Sequence, residues 1–219
     1  MKAIRSMHKS LISALAIAML GMVTLSLAAT PSAEPVQKAK INHYIGAAKC
    51  KNCHNVAENG AQYDCWTKSK HAEAFKTLGG DEAKKVATEK GIADAQKDEK
   101  CLKCHETGFG LAADQFDKKF DKTAGVQCET CHGPGEQHMK ARLAAAATEE
   151  NPDPKVRKKV AEGEIEVPTG PKLCEGCHNK ESPSYKTFEY PEFLKKIAHY
   201  DPRSDRKDKA PKTKDEEKK

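Results

Sequence analysis

The sequence predicts a mainly α-helical fold with little β-structure, in which helices and loops wrap several bound apolar groups instead of closing on an ordinary core. Three observations predict it. Hydrophobic residues are 37% and aromatic residues 5% of the 219-residue chain, thin for a core of that length. Strand-like alternation is scarce, confined to Glu164 to Val167. One short pattern, two cysteines separated by two residues and followed at once by histidine, occurs four times.

The elements follow in order along the chain. The first ten residues carry Lys2, Arg5 and Lys9 and no acid, and an uncharged, mostly apolar run extends from Leu11 to Ala29. That is the layout of a secretory signal peptide over residues 1–28, with Ser26 and Ala28 before the cut. An uncleaved anchor is the competing reading, since the run is long enough to span a bilayer. Removing residues 1–28 takes away three bases and no acid, so 38 minus 3 leaves 35 bases against 32 acids. A chain so weakly basic offers no charge argument for nucleic-acid binding. Residues 29–40 read as a flexible leader, 41–200 as the folded domain and 201–219 as a charged, disordered tail. Within the domain, helices are expected over Asp81 to Lys90, over Glu136 to Ala147 and from Pro191 to His199. The Trp66 to Leu78 segment places His71, Ala74, Phe75 and Leu78 on one helical face. Turns fall at Gly108 to Gly110, Gly133 to Gly135 and Pro168 to Pro171, and residues 148–167 form an exposed excursion. Cys65, the unpaired ninth cysteine, reads as a small buried hydrophobe, with an intermolecular bridge as the alternative.

Nine cysteines in an exported chain would first suggest disulfides. Eight of them instead form Cys50-Lys-Asn-Cys53-His54, Cys101-Leu-Lys-Cys104-His105, Cys128-Glu-Thr-Cys131-His132 and Cys174-Glu-Gly-Cys177-His178. Two thiols about one helical turn apart can add across the two vinyl groups of a porphyrin, and the adjacent imidazole then reaches its iron. The pattern is that of c-type haem attachment. Four copies predict four haems c, with His54, His105, His132 and His178 as the near ligands. A zinc protein would group its ligands to close tetrahedral sites, without this repeated adjacent histidine.

Iron in electron carriers usually takes a second strong ligand, commonly histidine or methionine. Outside the signal segment, which contains His8, the spare histidines are His43, His71, His138 and His199, against the single methionine Met139. His71 stands among small and apolar neighbours suited to a buried site. His138 follows the Gly133-Pro134-Gly135 turn and lies too near His132 along the chain to serve the same iron, so it points to another. His199 closes the helix begun at Pro191, with Lys195 and Lys196 behind it. His43, seven residues before Cys50, has three courses open: ligand in its own chain, ligand in a neighbouring subunit, or neither.

The runs Gly125-Val-Gln-Cys128-Glu-Thr-Cys131-His132-Gly-Pro-Gly135, Trp66 to Leu78, and Cys101-Leu-Lys-Cys104-His105-Glu-Thr-Gly-Phe-Gly110 resemble the tetrahaem cytochrome c-554 family of nitrifying bacteria, over roughly residues 44 to 200. The resemblance implies closely spaced haems passing electrons from hydroxylamine oxidoreductase towards a quinone or terminal oxidase. It also implies His138 as second ligand at the His54 haem, His71 at the His132 haem and His199 at the His178 haem. The His105 haem would then lack one, an arrangement that in the family has prompted proposals of nitric oxide reduction. The chain departs from the pattern in a shorter C-terminal part, in the segment between Cys53 and Trp66, and in His43, which could close the His105 haem. It is similar as well to subunits of extracellular cytochrome filaments, in which one subunit's histidine completes a haem in the next. The expected function is electron transfer in the periplasm or outside the cell, with redox proteins as partners. Peripheral membrane association and homo-oligomer or filament formation stay open, and reduction of a small nitrogen species is the enzymatic alternative.

Overall fold

The computed structural model describes residues 41–147, 165, 166, 168 and 170–202. The expected signal segment and leader, most of the 148–167 excursion with its candidate strand, and the tail beyond Pro202 lie outside the described residues. Among the described residues the structure is helical, and β-structure is limited to an isolated parallel bridge between Tyr44 and Phe116. The helices are α1 (Ala47–His54), α2 (Gln62–Thr67), α3 (Ala74–Thr77), α4 (Asp81–Glu89), α5 (Glu99–His105), α6 (Cys128–His132), α7 (Glu136–Ala147), α8 (Lys172–Glu175) and α9 (Tyr190–Leu194). None is long and apolar enough to cross a membrane.

Local chemistry sets these limits. Asp81 and Glu82 occupy the first turn of α4, where the helix dipole favours acids. Its far end closes as a Schellman motif: the amide of Gly91 donates to Thr88 and that of Ile92 to Ala87, and Ile92 folds back onto the helix. Asp98 caps α5 by accepting from the Lys100 amide at 2.8 Å. Leu78, Ala87, Ile92, Ala95 and Leu102 form one apolar cluster, with Phe75 and Cys101 against it. Half of the eight buried hydrophobic residues among those described are alanines. That is little apolar volume to hold a chain of this length.

Two expected helices are shorter than the pattern suggested. The Trp66 to Leu78 face is broken, because the Ser69 amide and hydroxyl both turn back onto the Trp66 carbonyl and end α2. The His71 carbonyl then accepts from Val126 at 3.0 Å, a tertiary contact, as well as from Ala74 at 3.2 Å, and His71 sits in a turn between α2 and α3. The Pro191 helix stops at Leu194. His199 lies beyond it, with its ring Nδ1 2.9 Å from the Ile197 carbonyl.

Where helices are short, buried polar side chains tie the segments together. Thr107, fully buried, donates to the Gly125 carbonyl at 2.9 Å and accepts from the Gln127 amide at 2.7 Å. Gln127 in turn accepts from the Ala47 amide and donates to the Asp121 carbonyl, both at 2.8 Å. Glu129 is only 2% exposed and accepts from the amides of Ile45, Gly46 and Gly135 at 2.7–2.8 Å. Each buried polar group is thereby satisfied, as a dry interior requires.

Candidate functional site

Each of the four motifs lies on a helical turn. Cys50 to His54 closes α1, Cys101 to His105 closes α5, and Cys128 to His132 is the whole of α6. Cys174 lies in α8, and its carbonyl accepts from the amides of Cys177 and His178 just beyond, at 3.1 and 2.9 Å. Helical spacing sets both cysteines of each motif on one side with the histidine next to them.

Three of these histidines meet one of the spare ones. The ring centres of His54 and His138 are 6.1 Å apart, those of His71 and His178 6.1 Å, and those of His132 and His199 6.0 Å. Two imidazoles on opposite sides of one metal, each bonded at about 2 Å through a nitrogen ~1.1 Å from its ring centre, would have centres roughly 6 Å apart. The spacing of all three pairs is compatible with one haem iron between their members. The structure brings His138 to His54 as the family resemblance implies. It exchanges the other two, setting His71 beside His178 rather than His132, and His199 beside His132 rather than His178.

Protonation and orientation suit ligation too. Burial, foremost among the influences on each, pushes His54, His71, His132 and His178 below the usual imidazole range. They are thereby held in the neutral form that a metal takes. Nδ1 of His132 lies 2.8 Å from the Glu166 carbonyl, that of His105 2.6 Å from the Ala74 carbonyl, and that of His54 3.3 Å from Gln62 Oε1. A hydrogen bond at Nδ1 leaves Nε2 for a metal and fixes the ring. Phe188 stacks on His178 at 4.8 Å and Phe193 stands edge-on at 5.6 Å, walling the fourth site. The half-buried Cys65 directs its sulfur at the Ile197 and Ala198 carbonyls, beside the arm that carries His199.

Among the described residues neither His105 nor His43 stands in ring contact with another histidine. His43 is held by α7: its Nδ1 lies 2.6 Å from Glu136 Oε2, its amide donates to the same oxygen, and its side chain stays about a third exposed. Lys140 reaches the other oxygen of Glu136.

The thiols give the spatial order of the motifs. The Cys50 and Cys128 thiols influence each other, Cys50 held up and Cys128 down, and α1 packs on α6, so sites one and three are neighbours. Burial together with Cys104 pushes Cys177 up to about 12, and Lys103 of the second motif pairs with Glu181 just beyond the fourth, so sites two and four are neighbours. Cys131, pushed up to about 11 mainly by burial, feels Cys174, and Cys177 feels Cys131, so sites three and four are neighbours. The row runs one, three, four, two.

Sequence reasoning missed Thr107, Gln127 and Glu129. The available signal was weak: an acid inside the third motif, beside glycines that permit close approach.

Residues 49–133 match the family model of cytochrome c554 and c-prime, a stretch that holds the first three motifs. Cytochrome c-554 of Nitrosomonas europaea is 34% identical over 96 residues, which are 42% of this chain and 39% of that protein. The chain thus matches about two fifths of the length of that curated relative. No solved structure matches the chain.

Proposed function

We propose, from the match of residues 49–133 to the family model of cytochrome c554 and c-prime, that the chain is a tetrahaem electron carrier of the periplasm or cell exterior. One haem is held on each motif, by Cys50 and Cys53, Cys101 and Cys104, Cys128 and Cys131, and Cys174 and Cys177. His54 with His138, His178 with His71, and His132 with His199 would each supply two imidazole ligands to one iron. Bound there, each haem contributes a one-electron Fe(III)/Fe(II) couple. The protein's part is to fix ligand rings through the Ala74, Glu166 and Ile197 carbonyls, exclude water with Phe188 and Phe193, and keep neighbouring sites in contact. The observation that carries this reading is the common 6.0–6.1 Å spacing of the three histidine pairs. Whole-protein mass and electron paramagnetic resonance of the oxidised protein test it: four haem masses and at least three low-spin irons are expected. Fewer haems, or high-spin iron at a paired site, would refute it.

A second reading rests on His105, whose ring is anchored at Ala74 but meets no second histidine among the described residues. An open position there is what reduction of nitric oxide or a similar small nitrogen species requires. The competing use of that position is closure by His43, whose ring Glu136 already orients, from the same chain or from the next subunit of a filament. One high-spin iron that His43→Ala leaves unchanged supports the open site. Four low-spin irons, one lost in that variant, support closure.

A further inference from the structure

We infer that Glu129 is a positioning residue for the haem site of Cys50 and Cys53, although it belongs to the motif of a different haem. Its carboxylate accepts from amides in both chain segments that lead to that site's ligands. Oε2 accepts from the Gly46 amide at 2.7 Å and Oε1 from the Ile45 amide at 2.8 Å, at the entry to α1, whose last residue is His54. Oε1 also accepts from the Gly135 amide at 2.7 Å, one residue before α7, whose third residue is His138. Two separate helices are thus registered on one buried anion, and their histidine rings come to 6.1 Å.

The surroundings support this role over general stability. Segment 42–46 is clipped to the start of α7 by Asn42, which donates to the Pro134 carbonyl and accepts from the Gln137 amide, and by reciprocal contacts of His43 and Glu136. That clip brings the segments together but is part-buried at most. Glu129, 2% exposed, reaches both from the inside. A Cβ on Gly135 would stand 3.2 Å from Glu129 Oε1 and 3.4 Å from Ile45, so a larger residue there would press on the carboxylate. A carboxylate can accept all three amides, whereas in glutamine an NH2 group must face a backbone N–H. Because Glu129 sits between Cys128 and Cys131, a shift of the third motif would pass to the ligands of the first.

The inference rests on the reading of His54 and His138 as a ligand pair, so the experiment separates the two. Electron paramagnetic resonance is recorded on the oxidised holoproteins of wild type, His138→Ala, Glu129→Gln and the double variant, at matched haem content verified by mass. His138→Ala is expected to turn one iron in four from low to high spin; no change there would overturn the ligand reading, and this inference with it. Glu129→Gln is expected to convert part of that same iron, and the double variant to show one high-spin iron, not two. Glu129→Gln with a wild-type spectrum and only a lower melting temperature would mean a merely structural role, and would overturn the inference. So would a change at any other iron. If Glu129→Gln does not mature with full haem, Glu129→Asp and Gly135→Ala carry the test: Gly135→Ala should reproduce the signature through its clash, and Glu129→Asp should weaken it.

Discussion

Thr107 shows how much one side chain can hold. It has no exposure, donates to Gly125, accepts from Gln127, and shares a third contact with Thr130 at 2.8 Å. Thr107→Val keeps the shape and leaves a buried amide and a buried carbonyl without partners. A loss of about 2–4 kcal/mol is expected, read by chemical denaturation of the holoprotein. Gly125 is a second such point. Its φ is +76°, and a Cβ would stand 2.6 Å from the His71 carbonyl. Gly125→Ala should therefore displace His71 and cost at least about 1–2 kcal/mol for the left-handed backbone. The specific check is spectroscopic, because the low-spin iron it loses should be the one lost in His71→Ala. At this scale the sequence was informative about chemistry and silent about support. The motif histidines were legible because attachment chemistry fixes their spacing. Thr107, Gln127 and Glu129 were not, since a buried polar residue is identified by its partners, which lie up to 84 positions away.

Whole helices were legible where a local signal bounded them. The α4 expectation of Asp81 to Lys90 and the α7 expectation of Glu136 to Ala147 agree with the structure to within a residue, because acids open both and Lys90-Gly91 closes the first. The Trp66 to Leu78 pattern misled because Val126 captured the His71 carbonyl, an event no periodicity records. The partnering of His71 and His199 was likewise illegible. It depends on how loops cross, and those loops are fixed by contacts such as Cys65 with Ile197. Electrostatics at this scale is modest. Lys49 on α1 reaches Asp117 at 2.7 Å, each about a third exposed, and its hydrogen bond is the main reason the Asp117 carboxyl lies below its ordinary value. A depressed folded-state value means that the contact stabilises above the unfolded carboxyl value and is lost as pH falls through the folded one. Asp117→Asn should cost less than ~1 kcal/mol at neutral pH and nothing near pH 2, as read by denaturation at the two pH values.

Over the whole molecule the mainly helical class was legible from the scarcity of strand alternation, and the thin core from composition. Four alanines among the eight buried hydrophobic residues described give little burial to offset the ordering of a chain this long. On the proposed reading haem supplies the missing apolar volume, and binding it would be part of folding. Chain made without haem attachment is expected to show no cooperative thermal transition by circular dichroism and to be cut rapidly by protease; a two-state transition would contradict this.

The spatial row of attachment sites, one, three, four, two, interlaces with their order along the chain. A polypeptide that emerges N-terminus first presents the two ends of the row before either middle member. Truncation ahead of the third motif would therefore leave the first and second sites without the two that stand between them.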